Sequence, residues 1–202
     1  MSSYNSNSFY IPKTIALVGM MGAGKSTIGS RLAKKLDKPF RDSDQAVEKA
    51  AGGYPVSDIY EQWGERAFKE AEYNVIQRLL STEPVHVLST GEGAFISEKT
   101  RALLQDRTIT VWLKSDVSTL ANRVQRKVRP QLIEGNTEEV LTSLVRERYP
   151  FYSMADIFVE SNDEFYQEAV DRIILALKEH LYPTDNGPWT SGPQTPDISM
   201  VG

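Results

Sequence analysis

Apolar residues along this chain alternate between short unbroken runs and longer stretches at helical spacing. Thr14-Ile-Ala-Leu-Val18 is a continuous apolar run ending in glycine, the pattern of a strand buried on both faces. From Ser26 to Leu36, apolar Ile28, Leu32, Ala33 and Leu36 recur at helical spacing with basic residues between them. Lys38 to Asp42 reads as a short strand. Ile59 to Leu80 reads as a helix whose stripe is Trp63, Ala67, Phe68, Ala71, Val75, Ile76 and Leu79. Val85 to Ser89 and Thr108 to Leu113 predict two further strands, and Ser118 to Arg126 and Glu138 to Tyr149 two helices. Ile157 to Val159 predicts a last strand and Tyr166 to His180 a closing helix. Strand and helix alternate throughout, so the expected fold is α/β, an open and mainly parallel sheet wrapped by helices.

The ends of the chain break this pattern. Pro183 to Gly202 carries four of the ten prolines and no Lys or Arg, and is expected to be a flexible tail because it cannot bury enough apolar surface. Residues 1–10 are Ser/Asn-rich and read as a flexible arm without the apolar core of a signal peptide, which leaves 11–182 as one folded domain. No fixed-period repeat is present in that body.

Composition narrows the chemistry. There are no cysteines, which excludes disulfides, thiolate metal sites and cysteine nucleophiles and suits a reducing cytoplasm. The two histidines, His86 and His180, lie far apart, which argues against a histidine-rich metal site. A net charge of −4 gives no basic nucleic-acid surface, and no apolar run approaches the roughly 20 residues that span a bilayer. A cytoplasmic, monomeric domain acting on a small molecule, with no nucleic-acid or membrane partner, is the expectation.

One motif carries specific chemistry. Gly19-Met-Met-Gly-Ala-Gly24-Lys25-Ser26 matches G-x-x-x-x-G-K-[ST] between a buried strand and a helix, the context a phosphate-binding loop requires. Backbone N–H groups of such a loop curl around phosphate oxygens at a helix N-terminus. The phosphates of ATP are therefore expected on Gly22, Ala23, Gly24, Lys25, Ser26 and Thr27, with Lys25 reaching the β- and γ-phosphates and the Ser26 hydroxyl on Mg²⁺. An incidental glycine-rich turn is the plain alternative. The motif says nothing of the phosphoryl acceptor.

Further motifs follow in order: Phe40-Arg-Asp42-Ser-Asp44, Gly64 to Glu72, Ser89-Thr-Gly91-Glu92-Gly93, Arg129-Pro130-Gln131-Leu132 and Arg148-Tyr-Pro-Phe-Tyr152. In this order and spacing the chain resembles shikimate kinases over roughly Lys13 to Leu181. The resemblance implies a three-layer α/β/α P-loop fold, a five-stranded parallel sheet in the order 2-3-1-4-5 and a mobile lid around Arg123 to Glu134. It implies ATP- and Mg²⁺-dependent phosphorylation of the 3-hydroxyl of shikimate, a step toward aromatic amino acids. Asp42 would hold the hydration shell of Mg²⁺ and Asp44 would orient the acceptor hydroxyl; a solvated acidic turn is the alternative for both. Arg129, in a basic cluster with Arg123, Arg126 and Lys127, would stabilise the transferring phosphoryl from the lid. Asp44, Lys69, Glu72, Gly91, Glu92, Gly93 and Arg148 would form the acceptor pocket, with Arg148 on the substrate carboxylate. Adenine contacts are expected from the lid-flanking arginines and the loop near Ser161 to Glu164.

Two departures fall in that pocket. Lys69 stands where the family usually has arginine, losing the planar grip on a carboxylate. Glu92 replaces the middle glycine of a triple glycine and brings a negative charge toward an anionic ligand. Three accounts stay open: Glu92 turns outward or pairs with Lys69 and shikimate still binds; the pocket takes a related polyol acceptor; or a nucleotide-binding module remains with impaired turnover. A P-loop switch protein is disfavoured because no coiled-coil heptad is present. Trp63, Trp112 and Tyr152 read as core or pocket wall, and His86 as a hydrogen-bonded buried histidine.

Overall fold

The computed structural model describes residues 9–125, 137–162 and 166–183; residues 1–8 of the arm, 184–202 of the tail and 126–134 of the expected lid lie outside them. Five strands form one parallel sheet: β1 (Thr14–Val18), β2 (Phe40–Asp42), β3 (Val87–Ser89), β4 (Thr108–Lys114) and β5 (Ile157–Glu160). Their spatial order is β2-β3-β1-β4-β5, with Ile15 opposite both Val87 and Ile109. β1 is buried at every residue, as its unbroken apolar run requires of a strand covered on both faces. At the sheet edge, β5 alternates buried Ile157 and Val159 with exposed Phe158 and Glu160.

Among the described residues, seven helices connect and cover the strands: α1 (Lys25–Leu36), α2 (Ser43–Ala50), α3 (Val56–Thr82), α4 (Glu98–Arg107), α5 (Val117–Gln125), α6 (Thr137–Tyr152) and α7 (Tyr166–Leu181). α1 and α7 turn Ile28, Leu32, Ala33, Ala169, Val170, Ile173 and Leu177 toward the sheet, the faces their apolar spacing dictates. The two ends of the described body meet, since the Tyr182 hydroxyl donates to the Tyr10 carbonyl at 2.9 Å and Phe9 packs edge-on against the Tyr182 ring.

The structure corrects two parts of the sequence reading. Two helices were not anticipated. α2 begins at the strand end itself, because the Asp42 side chain accepts from the N–H groups of Asp44 (3.1 Å) and Gln45 (3.4 Å). α4 is largely polar and buries only Thr100 and Leu104, too sparse a stripe to register as periodic. Trp63, read as core or pocket wall, is instead 51% exposed and stacks edge-on against Tyr54. The cause is a break inside α3 at Gly64 (φ 79°, ψ 169°), which interrupts the helical register carried from Trp63 to Phe68. Ala67 is exposed too, whereas Phe68, Val75, Ile76 and Leu79 keep their expected burial.

Candidate active site

Because the strands are parallel, every strand-end motif arrives at one edge of the sheet. β1 delivers the loop 19–26, β2 ends at Asp42, β3 runs into Thr90-Gly91-Glu92 and β5 into Ser161. One continuous cleft along this edge is lined by Gly22, Gly24, Lys25, Ser26, Asp44 and Glu92, among others.

At the phosphate-loop end, Gly24 takes a left-handed conformation (φ 90°) at the N-cap of α1, which places the loop against the helix N-terminus. The Lys25 ammonium spans the loop, donating to the carbonyls of Gly19 (2.7 Å) and Met20 (2.9 Å). The Ser26 hydroxyl donates to Asp42 Oδ2 at 2.7 Å and lies 3.3 Å from the Ser89 hydroxyl. Ser26 and Asp42, the pair expected at Mg²⁺, thus face one point beside the helix N-terminus. Asp42 divides its two oxygens, Oδ1 capping α2 and Oδ2 meeting Ser26.

The nucleotide end is bordered by residues that motif reading named only loosely. Arg123 donates to the Ser161 carbonyl at 2.8 Å, and Ser161 donates to the Ala23 carbonyl at 3.0 Å, tying α5 and the β5 end to the phosphate loop. The Tyr166 ring lies between the Arg123 and Arg31 guanidinium groups, 5.2 and 5.3 Å from its centroid. Asp163 and Glu164 of the expected adenine loop lie outside the described residues.

At the opposite end, three residues converge. A Cβ built on Gly91 would lie 2.5 Å from Glu72 Oε1 and 2.7 Å from Asp44 Oδ1, so both carboxylates close against the Gly91 backbone. Asp44 does not share the strand with Asp42: it sits in the first turn of α2, and the strand-to-helix turn sends the two side chains to different partners. Ser43, between them, fixes the glycine by accepting the Gly91 N–H at 2.9 Å. Glu72 is buried, neither oxygen has a hydrogen-bond partner among the described residues, and its acidity is strongly perturbed. Burial, then the charge of Asp44, pushes the Glu72 carboxyl up to about 8, with Glu92 adding and Lys69 and Lys25 opposing.

The departures from the family pattern resolve differently from the sequence expectation. Glu92 has an ordinary negative φ, since Asp37 is the sole non-glycine with positive φ among the described residues. Its carboxylate neither turns outward nor meets Lys69. Glu92 Oε1 lies 3.1 Å from Arg148 Nη1, while Lys69 pairs along its own helix with Glu65 at 2.6 Å. Burial alone would disfavour the Arg148 charge; the Glu92 carboxylate more than restores it and holds the guanidinium above its ordinary pKa. Tyr152, fully buried, donates its hydroxyl to the Glu92 carbonyl at 2.8 Å. Trp112 packs edge-on against Tyr149 at 4.9 Å, forming the wall behind this segment. At Gly93 a Cβ would meet nothing within 4 Å.

Sequence reading missed the supporting polar groups. Ser43 and the Tyr152 hydroxyl act on backbone atoms of Gly91 and Glu92, and Ser89 meets the Ser26 hydroxyl; no spacing rule announces them. His86 is buried as expected, its Nδ1 within 2.8 Å of the Pro84 carbonyl and 3.2 Å of the Thr14 hydroxyl, remote from the cleft in role. Arg129 lies outside the described residues.

A five-stranded parallel sheet in this order, with a glycine-lysine-serine loop after the central strand, defines a P-loop α/β protein of the kinase type. The family model "Shikimate kinase" matches residues 21–178. A shikimate kinase of Caulobacter vibrioides is 49% identical over 168 residues, covering 83% of each chain. That of Zymomonas mobilis is 46% identical over 167 residues, 82% of this chain and 94% of its own. The solved shikimate kinase of Acinetobacter baumannii, in complex with shikimate, superposes with a TM-score of 0.76 at 34% identity, covering 85% of this chain and 96% of its own. The chain belongs to the shikimate kinase family.

Proposed function

We infer that this protein transfers the γ-phosphoryl group of ATP to the 3-hydroxyl of shikimate, giving ADP and shikimate 3-phosphate on the route to aromatic amino acids. The observation that carries this reading is the meeting of Asp44, Glu72 and Gly91 at one end of a cleft whose other end is the Lys25 loop.

In this reading the backbone of Gly22 to Thr27 cradles the phosphates, and Lys25 exchanges its loop carbonyls for phosphate oxygens. The Ser26 hydroxyl and Asp42 carboxylate, already in contact, form a donor set that fits a hydrated Mg²⁺. When bound, that ion neutralises phosphate charge. Asp44 aligns the acceptor hydroxyl in line with the phosphoryl group and accepts its proton late. Glu72, Gly91 and Gly93 shape the cup, Arg148 takes the acceptor's carboxylate, and Lys69 adds a cation at the rim. Arg129 supplies charge to the transferring group from the lid, an assignment that rests on the family motif. With no cysteine in the sequence and a small-molecule acceptor, the protein is read as a cytoplasmic monomer, folded over 11–182 with an arm and a tail at its ends.

A coupled assay of ADP release with and without shikimate tests the reading. Shikimate-dependent release supports it. ADP release that ignores shikimate, or that follows only a non-acidic polyol, overturns it.

A further inference from the structure

Arg148 lies near the end of α6 with its side chain only 20% exposed, and a guanidinium taken that far from water needs an anion. Glu92 is that anion. The contact is close but poorly aligned: among the described residues, Arg148 Nη1 and Glu92 Oε2 each lack a well-aligned hydrogen-bond partner although each is buried. Neither group is therefore fully satisfied, and the guanidinium retains donors for a better-placed carboxylate. Glu92 is not a stray side chain. Tyr152 holds its carbonyl, and Glu92 lines the same cleft as Lys25 and Asp44.

An acid whose hydroxyl is presented to Asp44 must set its carboxylate on a cation at this end of the cleft. Lys69 is engaged by Glu65 along α3, and Lys25 belongs to the phosphates. Among the described residues Arg148 brings a guanidinium to this end, and a carboxylate already stands on it. We propose that Glu92 is a resident carboxylate which the acceptor's own carboxylate must displace from Arg148, so that the pair works as a gate selecting acidic acceptors. An alcohol without an acid group leaves Glu92 in place and finds the cup narrowed. An acidic alcohol exchanges with Glu92, and the guanidinium keeps one anionic partner before and after. The cost of expelling Glu92 falls on acceptor binding alone. This gate deepens the shikimate reading and rests on it for the identity of the acceptor.

The test uses the full chain with Glu92→Gln, which keeps the shape and removes the charge, and Glu92→Ala as a second variant. Kinetics with ATP should show the KM for shikimate falling about tenfold, the scale of one displaced partly screened charge, with the KM for ATP shifting less than about twofold. Calorimetric titration with cyclohex-1-ene-1-carboxylate, which has no hydroxyl to phosphorylate, should show the same tightening. In an Arg148→Met background, Glu92→Gln should change neither quantity. Equal carboxylate affinity in wild type and both Glu92 variants overturns the gate, and so does a gain that persists without Arg148. If no protein turns over shikimate, the functional reading fails separately, while the carboxylate titration still decides whether Glu92 competes for Arg148.

Discussion

Gly91 and Glu72 are in such close register that the smallest side chain at position 91 would place its carbon 2.5 Å from Glu72 Oε1. Asp44 Oδ1 would lie 2.7 Å from the same carbon, so Gly91→Ala must move one carboxylate or both. Both are ends of side chains, which can swing, and the fold should survive with a melting temperature within a few degrees of wild type. The hydroxyl-orienting geometry should not survive. A misplacement of this size costs about 10²-fold in rate, and kcat/KM for shikimate is expected to fall by roughly that factor. Nucleotide binding at the opposite end of the cleft should change little. Steady-state kinetics with a parallel ATP-binding titration checks the contrast, and an alanine variant with wild-type turnover would show that the two carboxylates do not act together.

Glu72 sets the direction of a pH effect. In the folded chain its carboxyl holds a proton until about 8, against 4.5 when exposed. Between those values the native state binds the additional proton, so this group's contribution to stability is full below 4.5 and is lost as pH rises through about 8. Each pH unit in that window is worth ~1.4 kcal/mol, which makes the effect on the order of a few kcal/mol after relaxation and partner charges are allowed for. Glu72→Gln mimics the protonated form permanently. It should melt several degrees higher than wild type at pH 9 and close to wild type at pH 5. Thermal melts across that range provide the measurement; parallel curves for the two proteins would place the perturbed group elsewhere.

The elements that could be read from sequence are those whose burial is written in residue type. β1 and β4 are unbroken apolar runs, and α1 and α7 show clean apolar faces, so their limits fall within a residue or two of the expected ones. α2 is hidden because its start depends on hydrogen bonds that the Asp42 carboxylate accepts from backbone N–H groups, which no apolar spacing records. The break at Gly64 hid the exposure of Trp63, since a periodicity argument assumes one continuous helix. Motifs supplied the site residues, and parallel topology explains why they share an edge. The Glu92–Arg148 pair was not legible. It depends on where α6 carries its last turn over the loop after β3, a distance that neither spacing nor composition encodes.

Asp42 has two functions on two oxygens, and an amide can separate them. Asn caps helices as well as Asp does, so Asp42→Asn should keep α2 capped and shift the melting temperature little. The amide has lost the charge that hard divalent cations prefer. The Mg²⁺ concentration for half-maximal activity is therefore expected to rise about tenfold, equivalent to ~1.4 kcal/mol. Asp42→Ala should add the loss of the cap, about 1 kcal/mol in stability. Magnesium titrations of activity beside thermal melts of both variants read the two effects independently. A Mg²⁺ requirement unchanged in Asp42→Asn would assign the carboxylate to the cap alone.

The Tyr152 hydroxyl links the aromatic wall to the backbone of the acceptor loop. It is fully buried and donates to the Glu92 carbonyl at 2.8 Å, with Met20 Sδ at 3.9 Å and the Arg148 side chain beside it. Tyr152→Phe keeps the ring that packs against Trp112 and removes only the donor, leaving a carbonyl short of a partner at about 1–3 kcal/mol. For a domain of this size that corresponds to a melting temperature roughly 2–10 °C lower. The functional consequence should be local: the loop from Gly91 to Gly93 loses an anchor, so the KM for shikimate rises several-fold while the KM for ATP stays near its wild-type value. A variant that loses stability with both KM values moving together would mean the hydroxyl supports the sheet edge as a whole, whereas a shift confined to the acceptor would identify Tyr152 as the residue that holds the acceptor loop in position.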